Sequence, residues 1–519
     1  MKKSFTLALA LLFALSSYAQ NFGVLNPNFG ANGAFSFDPS NTQDAMEKVL
    51  VQEDGKILTV GKTRANDDNY VMYASRHNSD GSLDATFKDG GVTEFPYLYS
   101  AFDAVLDNKG HLFIAGYTFN NPNTYGAIVC LDENGLEHIY FGNNGYVFSE
   151  QGHGVVYHGI DIDSENRIVV CGYIDDQILV RRYNADGSAD SSFGEDGSVI
   201  IVLDSHPWAW SYAFDIKALE DGKLLVAGHK DPSDMIYESY LLRLNSDGSL
   251  DETFADNGVL YLNAGEYPEY AVAIDILPDG RYLVGGHNDL KSNTPNLVRS
   301  EAYLACITTE GSLDKTFGTD GFVKFELLSG EGCTNTTASI LTTSHGQIFG
   351  TIYSQNNITT ASRAYVYNLD INGQPKENFA GSGFMPLPKI EDEEVMIRTS
   401  SLALKDDSNI LVGGYYSTDY SYTQKLFIQC INIESYESVS ELSSSTLLFP
   451  NPANDKLHII TEVEIEDALV YDVFGRQHDS KTTKQQNEIT IDVAELNNGV
   501  YFVMIKTNEG VVMKRFVKN

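Results

Sequence analysis

Basic residues are scarce in this sequence. It has 35 Lys and Arg against 71 Asp and Glu, which gives a formal net charge of −36 at pH 7. Nucleic acids and anionic membrane surfaces attract proteins through basic faces, so this balance excludes both as partners. The same charge favours solubility outside the cell and makes a divalent cation such as calcium a ligand to consider.

Apolar runs of membrane-spanning length are also absent, and the most prominent apolar run lies at the N-terminus. There a positively charged start (MKK) precedes an apolar stretch over residues 6–15, which is too short to cross a bilayer. Residues 17–19 then provide the small side chains that signal peptidase requires. We predict a secretory signal over residues 1–19, cleaved between Ala19 and Gln20, and no transmembrane segment in the mature chain.

The signatures of common catalytic and metal centres are missing too. No zinc-peptidase H-E-x-x-H, nucleotide-binding P-loop or G-x-S-x-G nucleophile elbow occurs. The five cysteines show no C-x-x-C spacing, which argues against structural zinc. The sequence therefore predicts no cofactor and no metal site, with a weak calcium contact at its acidic turns as the alternative.

The positions of the cysteines argue against a disulfide framework, although the chain is expected to be exported. Cys130, Cys306 and Cys430 occupy one equivalent position in different repeats, a position that arginine fills in others. Thiols at the same depth of separate repeats are too far apart to bridge. Cys171 ends another apolar run without a partner. We predict buried free thiols; Cys333 lies in an expected loop and is left undecided.

What the sequence does contain is a repeat. Gly is frequent (44), Pro is scarce (14) and aromatic residues make up 11%, which is typical of a β-rich chain with many turns. An F-x-x-x-G element recurs seven times, as FGANG (29–33), FKDGG (87–91), FGNNG (141–145), FGEDG (193–197), FADNG (254–258), FGTDG (317–321) and FAGSG (379–383). A polar turn followed by a short apolar run also recurs seven times, from DGKILTVGK (54–62) to SNILVGGYY (408–416).

Each repeat contains four short strands, which in the fifth repeat are AVAIDIL, RYLVGGH, AYLACIT and FVKFEL. Four strands repeated seven times predict an all-β fold, a seven-bladed β-propeller over residues 20–436. The chain starts with a lone fourth strand (29–37), and its last unit lacks one. We therefore expect the N-terminal strand to complete the last blade, so that no hydrogen-bonding edge is left open.

The combination LN-x-DGSLD-x-TF-x-x-x-G, with DGKLLVAG-like runs between its copies, resembles the bacterial delta-sixty β-propeller repeat of large exported proteins. The resemblance covers about residues 21–434. It implies the propeller fold and says almost nothing about function. The sixth unit departs most from the pattern, because INGQPKENFAGSG loses the acidic turn.

A Ser-rich linker (437–446) separates the repeats from a C-terminal segment over residues 447–519, where short strands and turns predict a small immunoglobulin-like β-sandwich. The order PNPA, VYDVFGR, L-x-x-G-x-Y and KRFVK resembles the type A C-terminal sorting domain of the type IX secretion system. The positions that match the sorting signal are Pro450, Asn451, Pro452, Ala453, Tyr471, Asp472, Gly475, Arg476, Gly499, Tyr501 and Lys514.

The sorting-domain resemblance implies a Gram-negative bacterium of the Bacteroidota type. It implies Sec export through the periplasm and passage across the outer membrane by the type IX machinery. A sortase-like peptidase would then remove the tail and leave the propeller on the cell surface or in the medium.

The acidic stretch NSDGSLDETFADNG (245–258) raises the calcium alternative. A helix–loop–helix calcium loop requires oxygen ligands at fixed offsets and a distal bidentate Glu. Across the seven copies the Phe and the closing Gly are retained, whereas the acids vary. An Asx-Gly turn that joins the third and fourth strands accounts for this pattern better than a metal site.

The best ligand candidates are aromatic residues in expected connections on one face. LDSHPWAWSYAF (203–214) contains both tryptophans of the protein, and YTFNNPNTY (117–125) and YYSTDYSY (415–422) are expected on the same face. Exposed rings beside acids and amides suit sugar or peptide recognition. Packing between neighbouring blades is the alternative, and it is favoured. The candidate ligand-binding residues are Trp208, Trp210, Tyr212, His229, His287 and Tyr415.

Three functions remain open at the level of sequence. The favoured one is a non-enzymatic propeller, at the cell surface or secreted, that binds a glycan, an adhesion partner or an envelope component. An exported polysaccharide- or peptide-degrading enzyme is the second. It would need convergent acids over the channel, and only Asp161 and Asp275 occupy equivalent positions of their first strands. A purely structural surface protein is the third. No catalytic residue is assigned.

Overall fold

The computed structural model describes residues 22–518, apart from 41–42, 67–68, 89, 121–122, 150–153, 204–205, 207–208, 232–236, 266–268, 292–293, 295–296, 360–361, 392–395, 419–422, 434–445, 462, 464, 473–476, 479, 486, 495 and 508–509. The predicted signal and its cleavage site at Ala19 and Gln20 lie outside this range. The chain divides into two compact units, Met1–Ile433 and Glu434–Asn519. No helix occurs among the described residues, so the all-β prediction is confirmed.

Twenty-nine strands of the first unit form seven antiparallel sheets. Sheet 1 contains β3 (Ala45–Val51), β4 (Ile57–Asn66), β5 (Asn69–His77) and β6 (Val92–Phe95); sheet 2 contains β7 (Ser100–Leu106), β8 (Leu112–Asn120), β9 (Asn123–Leu131) and β10 (Tyr146–Phe148); sheet 3 contains β11 (Val155–Ile162), β12 (Ile168–Ile174), β13 (Gln177–Tyr183) and β14 (Ser198–Ile201); sheet 4 contains β15 (Trp210–Ala218), β16 (Leu224–Asp231), β17 (Glu238–Leu244) and β18 (Val259–Tyr261).

The remaining sheets of this unit follow in chain order. Sheet 5 contains β19 (Glu269–Ile276), β20 (Tyr282–Leu290), β21 (Arg299–Ile307) and β22 (Phe322–Phe325); sheet 6 contains β23 (Cys333–Thr342), β24 (Ile348–Asn356), β25 (Ser362–Leu369) and β26 (Phe384–Pro386); sheet 7 contains β27 (Met396–Asp406), β28 (Asn409–Ser417) and β29 (Lys425–Asn432), together with β1 (Val24–Leu25) and β2 (Ala34–Phe37).

Each sheet is a meander whose first strand pairs only with its second. The first strands of consecutive sheets contact one another, and β27 contacts β3. Apolar side chains from neighbouring sheets share cores: Met46 and Val49 of β3, for example, pack with Leu411 and Leu426 of sheet 7. Neighbouring sheets therefore pack against one another through their first strands.

The N-terminal segment occupies the place of a fourth strand in sheet 7. β2 pairs antiparallel with β29, with Ala34 opposite Gln429. In the other sheets the fourth strand pairs with the third in the same way. Phe29, which opens FGANG, is buried, and the Gly30 N–H donates to the Asp80 carbonyl of sheet 1 over 2.8 Å. This segment thus bridges the last repeat and the first.

The recurring Arg, Asp and Phe of the repeat form one cluster. In sheet 4, Arg243 Nε donates to Asp251 Oδ2 over 2.7 Å, and its guanidinium carbon lies 4.6 Å from the centre of the Phe254 ring. Arg243 also donates to the Thr309 carbonyl of the next repeat over 2.5 Å. Burial opposes ionisation of Asp251, but hydrogen bonds from Lys223 and Thr253 hold its pKa below the usual value. The cluster anchors a turn and joins two sheets.

The acidic turn is built as an Asx-Gly turn. Asp247 Oδ1 accepts hydrogen bonds from the Ser249 N–H (2.9 Å) and hydroxyl (2.7 Å). Gly248 has φ +88°, a conformation that favours glycine. Thr253 N–H likewise donates to Asp251 Oδ1 over 3.1 Å. These carboxylate oxygens serve the turn, which gives a structural reason for the recurrence of Asp-Gly.

All five cysteines are free and buried, which confirms the prediction for Cys130, Cys171, Cys306 and Cys430. In the register, Cys130, Cys306 and Cys430 stand opposite the same position of their second strands that Arg243 faces in sheet 4. In sheet 5 the missing guanidinium is supplied from the residue just before the second strand: Arg281 donates to Asp314 over 2.6 Å. Cys333 begins β23 and is 3% exposed, so the expectation of a loop position was wrong.

The second unit contains two four-stranded antiparallel sheets. One has the order β30 (Leu447–Phe449), β31 (Lys456–Ile460), β35 (Glu488–Asp492) and β34 (Thr482–Gln485); the other has the order β33 (Gln477–His478), β32 (Ile465–Asp472), β36 (Gly499–Thr507) and β37 (Gly510–Lys518). Leu457 and Ile491 of the first sheet share a core with Val470 and Val503 of the second. The unit is a small β-sandwich.

Candidate functional site

Carboxylates of the first strands bond to the backbone of the neighbouring first strand. Asp161 Oδ2 accepts from the Ala218 N–H over 2.9 Å, and Asp275 Oδ2 accepts from the Thr342 N–H over 2.6 Å. These two acids were the candidates for a catalytic role over the channel. Each one instead joins its sheet to the next.

Two further acids, which the sequence pattern did not reveal, make the same bond from a position two residues earlier. Asp103 Oδ2 accepts from the Ile160 N–H over 3.1 Å, and Asp215 Oδ2 accepts from the Ile274 N–H over 2.7 Å. Burial raises the pKa of Asp215 to about 6. Burial also disfavours a charged Lys217, but Asp215 and the neighbouring acids raise its pKa above the usual value.

Hydroxyls and one ion pair join the remaining neighbours. Ser339 Oγ accepts from the Leu402 N–H over 3.2 Å, and Ser401 Oγ accepts from the Val49 N–H over 3.1 Å. Lys48 pairs with Asp103 over 2.7 Å. Every first strand is therefore joined through a side chain to the first strand of the following sheet, including β27 to β3. The acids near the centre serve the fold.

Each first strand also carries an unpaired residue in its register with the second strand, and β27 carries two. The irregularities fall at equivalent places, for example between Met46 and Lys48 in β3 and between Tyr157 and Gly159 in β11. A bulge of this kind re-aims the extra side chain. The extra residues of sheets 1 to 4 are Glu47, Phe102, His158 and Phe214.

Aromatic rings form a continuous series over sheets 1 to 5, which we call the aromatic band. It lies where the first strands begin and the second strands end, and neighbouring ring centres are 4.3 to 6.2 Å apart. Its rings are half-buried except for that of His229, which is buried. The members are Tyr70, Tyr99, Phe102, Tyr117, His158, Tyr173, Trp210, Tyr212, Phe214, His229, Tyr237, Tyr270 and His287.

Carboxylates accompany the band in sheets 3 to 5. Tyr212 donates its hydroxyl proton to Asp176 Oδ1 over 3.1 Å. Asp231 and Asp289 lie near Tyr237 and contribute, after burial, to the raised pKa of that phenol. Burial raises the pKa of Asp289 to about 6. The band thus combines flat apolar rings with hydrogen-bond acceptors.

The histidines of the band are neutral near pH 7. Burial lowers the pKa of His158, His229 and His287 to about 4. The Nδ1 atoms of His229 and His287 are buried and have no hydrogen-bond partner among the described side chains and backbone groups. No cluster of three metal-ligating side chains with suitable geometry occurs in the described part of the chain.

The predicted ligand residues divide into two groups. Trp210, Tyr212, His229 and His287 lie together in the band, whereas Trp208 lies outside the described residues. They sit on strands rather than in the expected connections: the first strand β15 begins earlier than the sequence pattern indicated, at Trp210, and the second strands β16 and β20 continue further, through His229 and His287. Tyr117 likewise lies within β8.

Tyr415 lies in a separate pocket between sheets 7 and 1, which we call the Glu47 pocket. Its volume is about 360 Å³, and Glu47, Lys62, Tyr70, Arg398, Tyr415 and Gln424 are among its lining residues. Burial raises the pKa of Glu47 to about 7, although Lys62 and Arg398 act in the opposite direction. Arg398 donates to the Tyr415 hydroxyl over 3.1 Å. Tyr70 belongs both to this pocket and to the aromatic band.

The second unit brings the PNPA signature against the last strand. The Asn451 side chain accepts from the Val517 N–H over 2.9 Å and donates to the Arg515 carbonyl over 3.4 Å. Ala453 is buried, and its N–H donates to the Val517 carbonyl over 2.8 Å. The opening signature and the terminal KRFVK are thus neighbours in space.

The other residues of the predicted sorting signal are placed as follows. Tyr501 of β36 is 6% exposed and stacks on Phe516, with ring centres 5.7 Å apart. Gly499 begins the same strand, and Lys514 lies half-buried in β37. The backbones of Tyr471 and Asp472 belong to β32. Gly475 and Arg476 fall outside the described residues.

Comparison with known families identifies both parts of the chain. Residues 447–519 match the secretion system C-terminal sorting domain. Residues 52–87, 164–193 and 219–254 match a β-propeller domain of unknown function, DUF5122. The chain carries a type IX sorting domain and a DUF5122 β-propeller domain. Export through the type IX system to the cell surface or the medium follows from the sorting domain.

Several solved structures are similar to the propeller at low identity. A protein of unknown function from Dyadobacter fermentans is 13% identical, with a TM-score of 0.40 over 78% of this chain and 100% of that one. A polysaccharide lyase is 8% identical, with a TM-score of 0.45 over 79% and 93%. An α-L-arabinofuranosidase from Fusarium graminearum is 10% identical, with a TM-score of 0.37 over 80% and 99%. No curated protein matches the chain.

The sorting domain implies contact with the secretion machinery. The described residues include no helix of the length and apolarity needed to cross a membrane.

Proposed function

We propose that this chain is an exported β-propeller that binds a glycan along its aromatic band. The observation that carries the proposal is the run of half-buried rings, with carboxylates at Asp176, Asp231 and Asp289 beside them. Ring faces stack on the C–H faces of sugars, and carboxylates accept hydrogen bonds from sugar hydroxyls. A set of rings used only for packing would be buried; these rings keep part of their surface in contact with solvent.

The proposal includes a closed ring of seven blades, with β2 as the outer strand of the last. The side-chain bonds between successive first strands, including Ser401 to Val49, support it. It also includes a signal cleaved after Ala19, a Gram-negative host of the Bacteroidota type and removal of the tail by a sortase-like peptidase. On delivery the propeller serves adhesion or association with the cell envelope.

The proposal is tested by measuring the binding of the full chain to a glycan array. Trp210→Ala is expected to weaken binding about tenfold or more, because buried aromatic contacts carry most of the energy of such sites. Trp210→Phe retains a ring and is expected to keep most of the affinity. Tyr140→Ala, which removes an exposed ring outside the band, is the matched control. Equal affinity of Trp210→Ala and the wild type, or no glycan bound at all, would contradict the proposal.

An exported hydrolase or lyase is the second candidate, and the Glu47 pocket is the observation that favours it. A carboxyl group whose pKa is about 7 suits general acid–base catalysis near neutral pH. Incubating the protein with envelope polysaccharides and measuring new reducing ends tests this candidate. New ends that disappear in Glu47→Gln would establish an enzyme; none with any substrate would leave binding as the function.

A further inference from the structure

The Glu47 pocket holds two cations that have no ion-pair partner among the residues that the structure describes. Lys62 and Arg398 form no salt bridge within the described ranges. Lys62 Nζ lies 5.6 Å from the centre of the Tyr70 ring, and the Arg398 guanidinium lies 4.6 Å from the centre of the Tyr353 ring. Aromatic faces position both cations without neutralising them.

The acids of this pocket form no salt bridge with Lys62 or Arg398. Glu47 is half-buried, and its carboxylate has no ion-pair or hydrogen-bond partner among the residues described. Asp44 is fully buried, and its Oδ1 accepts from the hydroxyls of Ser40 (2.7 Å) and Thr63 (2.5 Å). Burial raises the pKa of Glu47 to about 7, so this carboxylate is only partly ionised at neutral pH, whereas Asp44, with a pKa of about 6, is mostly ionised. The pocket is therefore a locally positive place on a protein of net charge −36.

The arginine retains free donors for an incoming group. A guanidinium has five N–H groups in a planar fork, which matches a carboxylate. In this structure Arg398 gives a hydrogen bond to the Tyr415 hydroxyl, and the residue is exposed. Gln424 and Tyr70 add neutral hydrogen-bonding groups to the lining. A volume of about 360 Å³ lies within the usual range of small-ligand sites.

The pocket and the aromatic band are continuous through Tyr70. The Tyr70 ring lies 5.7 Å from that of Tyr99, and Tyr99 lies 5.3 Å from Tyr117. A chain stacked on the band would therefore reach the pocket at its end in sheet 1.

We propose that the Glu47 pocket binds the carboxylate of a single acidic sugar at the end of an otherwise neutral glycan, through Arg398 and Lys62. The inference rests on the proposed glycan binding and names its ligand class. One carboxylate is preferred over a polyanion because the rest of the protein surface repels negative charge. Arg398 gives orientation through its planar fork, whereas Lys62 adds a point charge.

The test compares three probes on the mature full chain by calorimetry: a neutral tetrasaccharide with one terminal glucuronate, the same tetrasaccharide with terminal glucose, and a tetragalacturonate. The mono-acid is expected to bind about tenfold or more tightly than the other two. Arg398→Gln and Lys62→Gln are expected to remove this preference, so that each variant binds the glucuronate and glucose forms with equal affinity. Arg363→Gln, an exposed arginine on the neighbouring sheet, is the matched control.

Each of the other possible results contradicts a specific claim of the proposal. Equal binding of the acidic and neutral probes by the wild type contradicts the pocket assignment but leaves glycan binding intact. Tighter binding of tetragalacturonate contradicts the preference for one carboxylate. Loss of preference in Arg363→Gln as well assigns the effect to general charge. No binding of any probe, while the array also shows none, contradicts the proposed function itself. Melting curves of the variants confirm that each is folded.

Discussion

Asp215 of sheet 4 accepts a hydrogen bond through Oδ2 from the backbone N–H of Ile274 in sheet 5, over 2.7 Å. A side chain of one sheet thereby satisfies the backbone of the next. Removing it leaves a backbone donor without its partner, which costs about 1–3 kcal/mol. We expect Asp215→Ala to lower the free energy of unfolding by that amount in urea denaturation. Glu252→Ala, at an exposed acid of the same repeat, is the control, and equal stabilities of the two variants would contradict the linking role.

The Arg–Asp–Phe cluster gives a second stability prediction. Arg243→Ala leaves the Asp251 carboxylate, which is 3% exposed, with Lys223 as its remaining cation. Breaking a buried pair by removing one partner costs on the order of 3 kcal/mol. We expect a loss of that size in urea denaturation. Arg363→Ala removes an exposed arginine and is expected to change the stability by less than about 0.5 kcal/mol.

Glu47 is expected to make the stability of the propeller depend on pH. Its pKa is about 7 in the folded chain, against 4.5 for an unperturbed glutamate, so the folded state holds the proton more tightly. The stability contributed by the neutral carboxyl is present below pH 4.5 and is lost as the pH rises through 7. At pH 5 Glu47→Gln should therefore melt at the same temperature as the wild type. At pH 8 it should melt at a higher temperature, because its free energy of unfolding exceeds that of the wild type by on the order of 1–3 kcal/mol.

Other charged and titratable groups face Glu47 and can also contribute to the pH dependence of the stability. They come from four strands and the segment before β3, and they are Asp44, Lys62, Tyr70, Arg398 and Tyr415. Asp44, whose pKa is about 6, changes charge at lower pH, so Asp44→Asn is the matched variant. A difference between wild type and Glu47→Gln that is the same at pH 5 and pH 8 would contradict the assignment.

Because the five thiols are buried, we expect them to be unreactive in the native protein. Burial raises the pKa of Cys306 and Cys430 to about 12, so neither forms a thiolate at neutral pH. We expect none of the five cysteines to react with a thiol-specific reagent in the native protein and all five to react in denaturant. Rapid reaction of one thiol in the native protein would show an accessible cysteine.

We expect substitution of Asn451 to reduce secretion of the protein. Its side chain makes two hydrogen bonds to the backbone of the last strand. We expect Asn451→Ala to destabilise the sorting domain by about 1–2 kcal/mol and to lower the amount of propeller reaching the surface or medium. Deletion of residues 447–519 should retain the protein in the periplasm. Normal export after that deletion, measured by fractionating the producing cells, would contradict the role of the tail.

The sheets could be predicted from the sequence because their signals are local. An Asp-Gly turn between two alternating runs determines a hairpin by itself, and the same signal recurs in each repeat. The positions of the cysteines and of Arg243 followed from aligning the repeats. The strand bounds around Tyr117 and Tyr212 could not be predicted, because the second strand β8 continues beyond the apolar pattern and the first strand β15 begins before it.

The candidate site depends on contacts that no local pattern encodes. Glu47 and Arg398 line one pocket although 351 positions separate them (398 − 47). The aromatic band could be anticipated only in part, since Phe102, His158 and Phe214 join it through bulges in the first strands. The linking acids occupy two alternative positions of the first strand, and their partners are main-chain groups that carry no sequence signal.

The pairing of β2 with β29 has a consequence for how the protein matures. Ala34 and Gln429 are 395 positions apart (429 − 34), so the strand that enters the periplasm among the first finds its neighbour among the last. Contacts of such sequence separation form slowly. The last sheet therefore stays incomplete until the chain has been translocated past residue 432. During that interval β2 has no partner strand, and its unpaired edge is a surface that a periplasmic chaperone, or β29 of a second copy of the chain, can occupy.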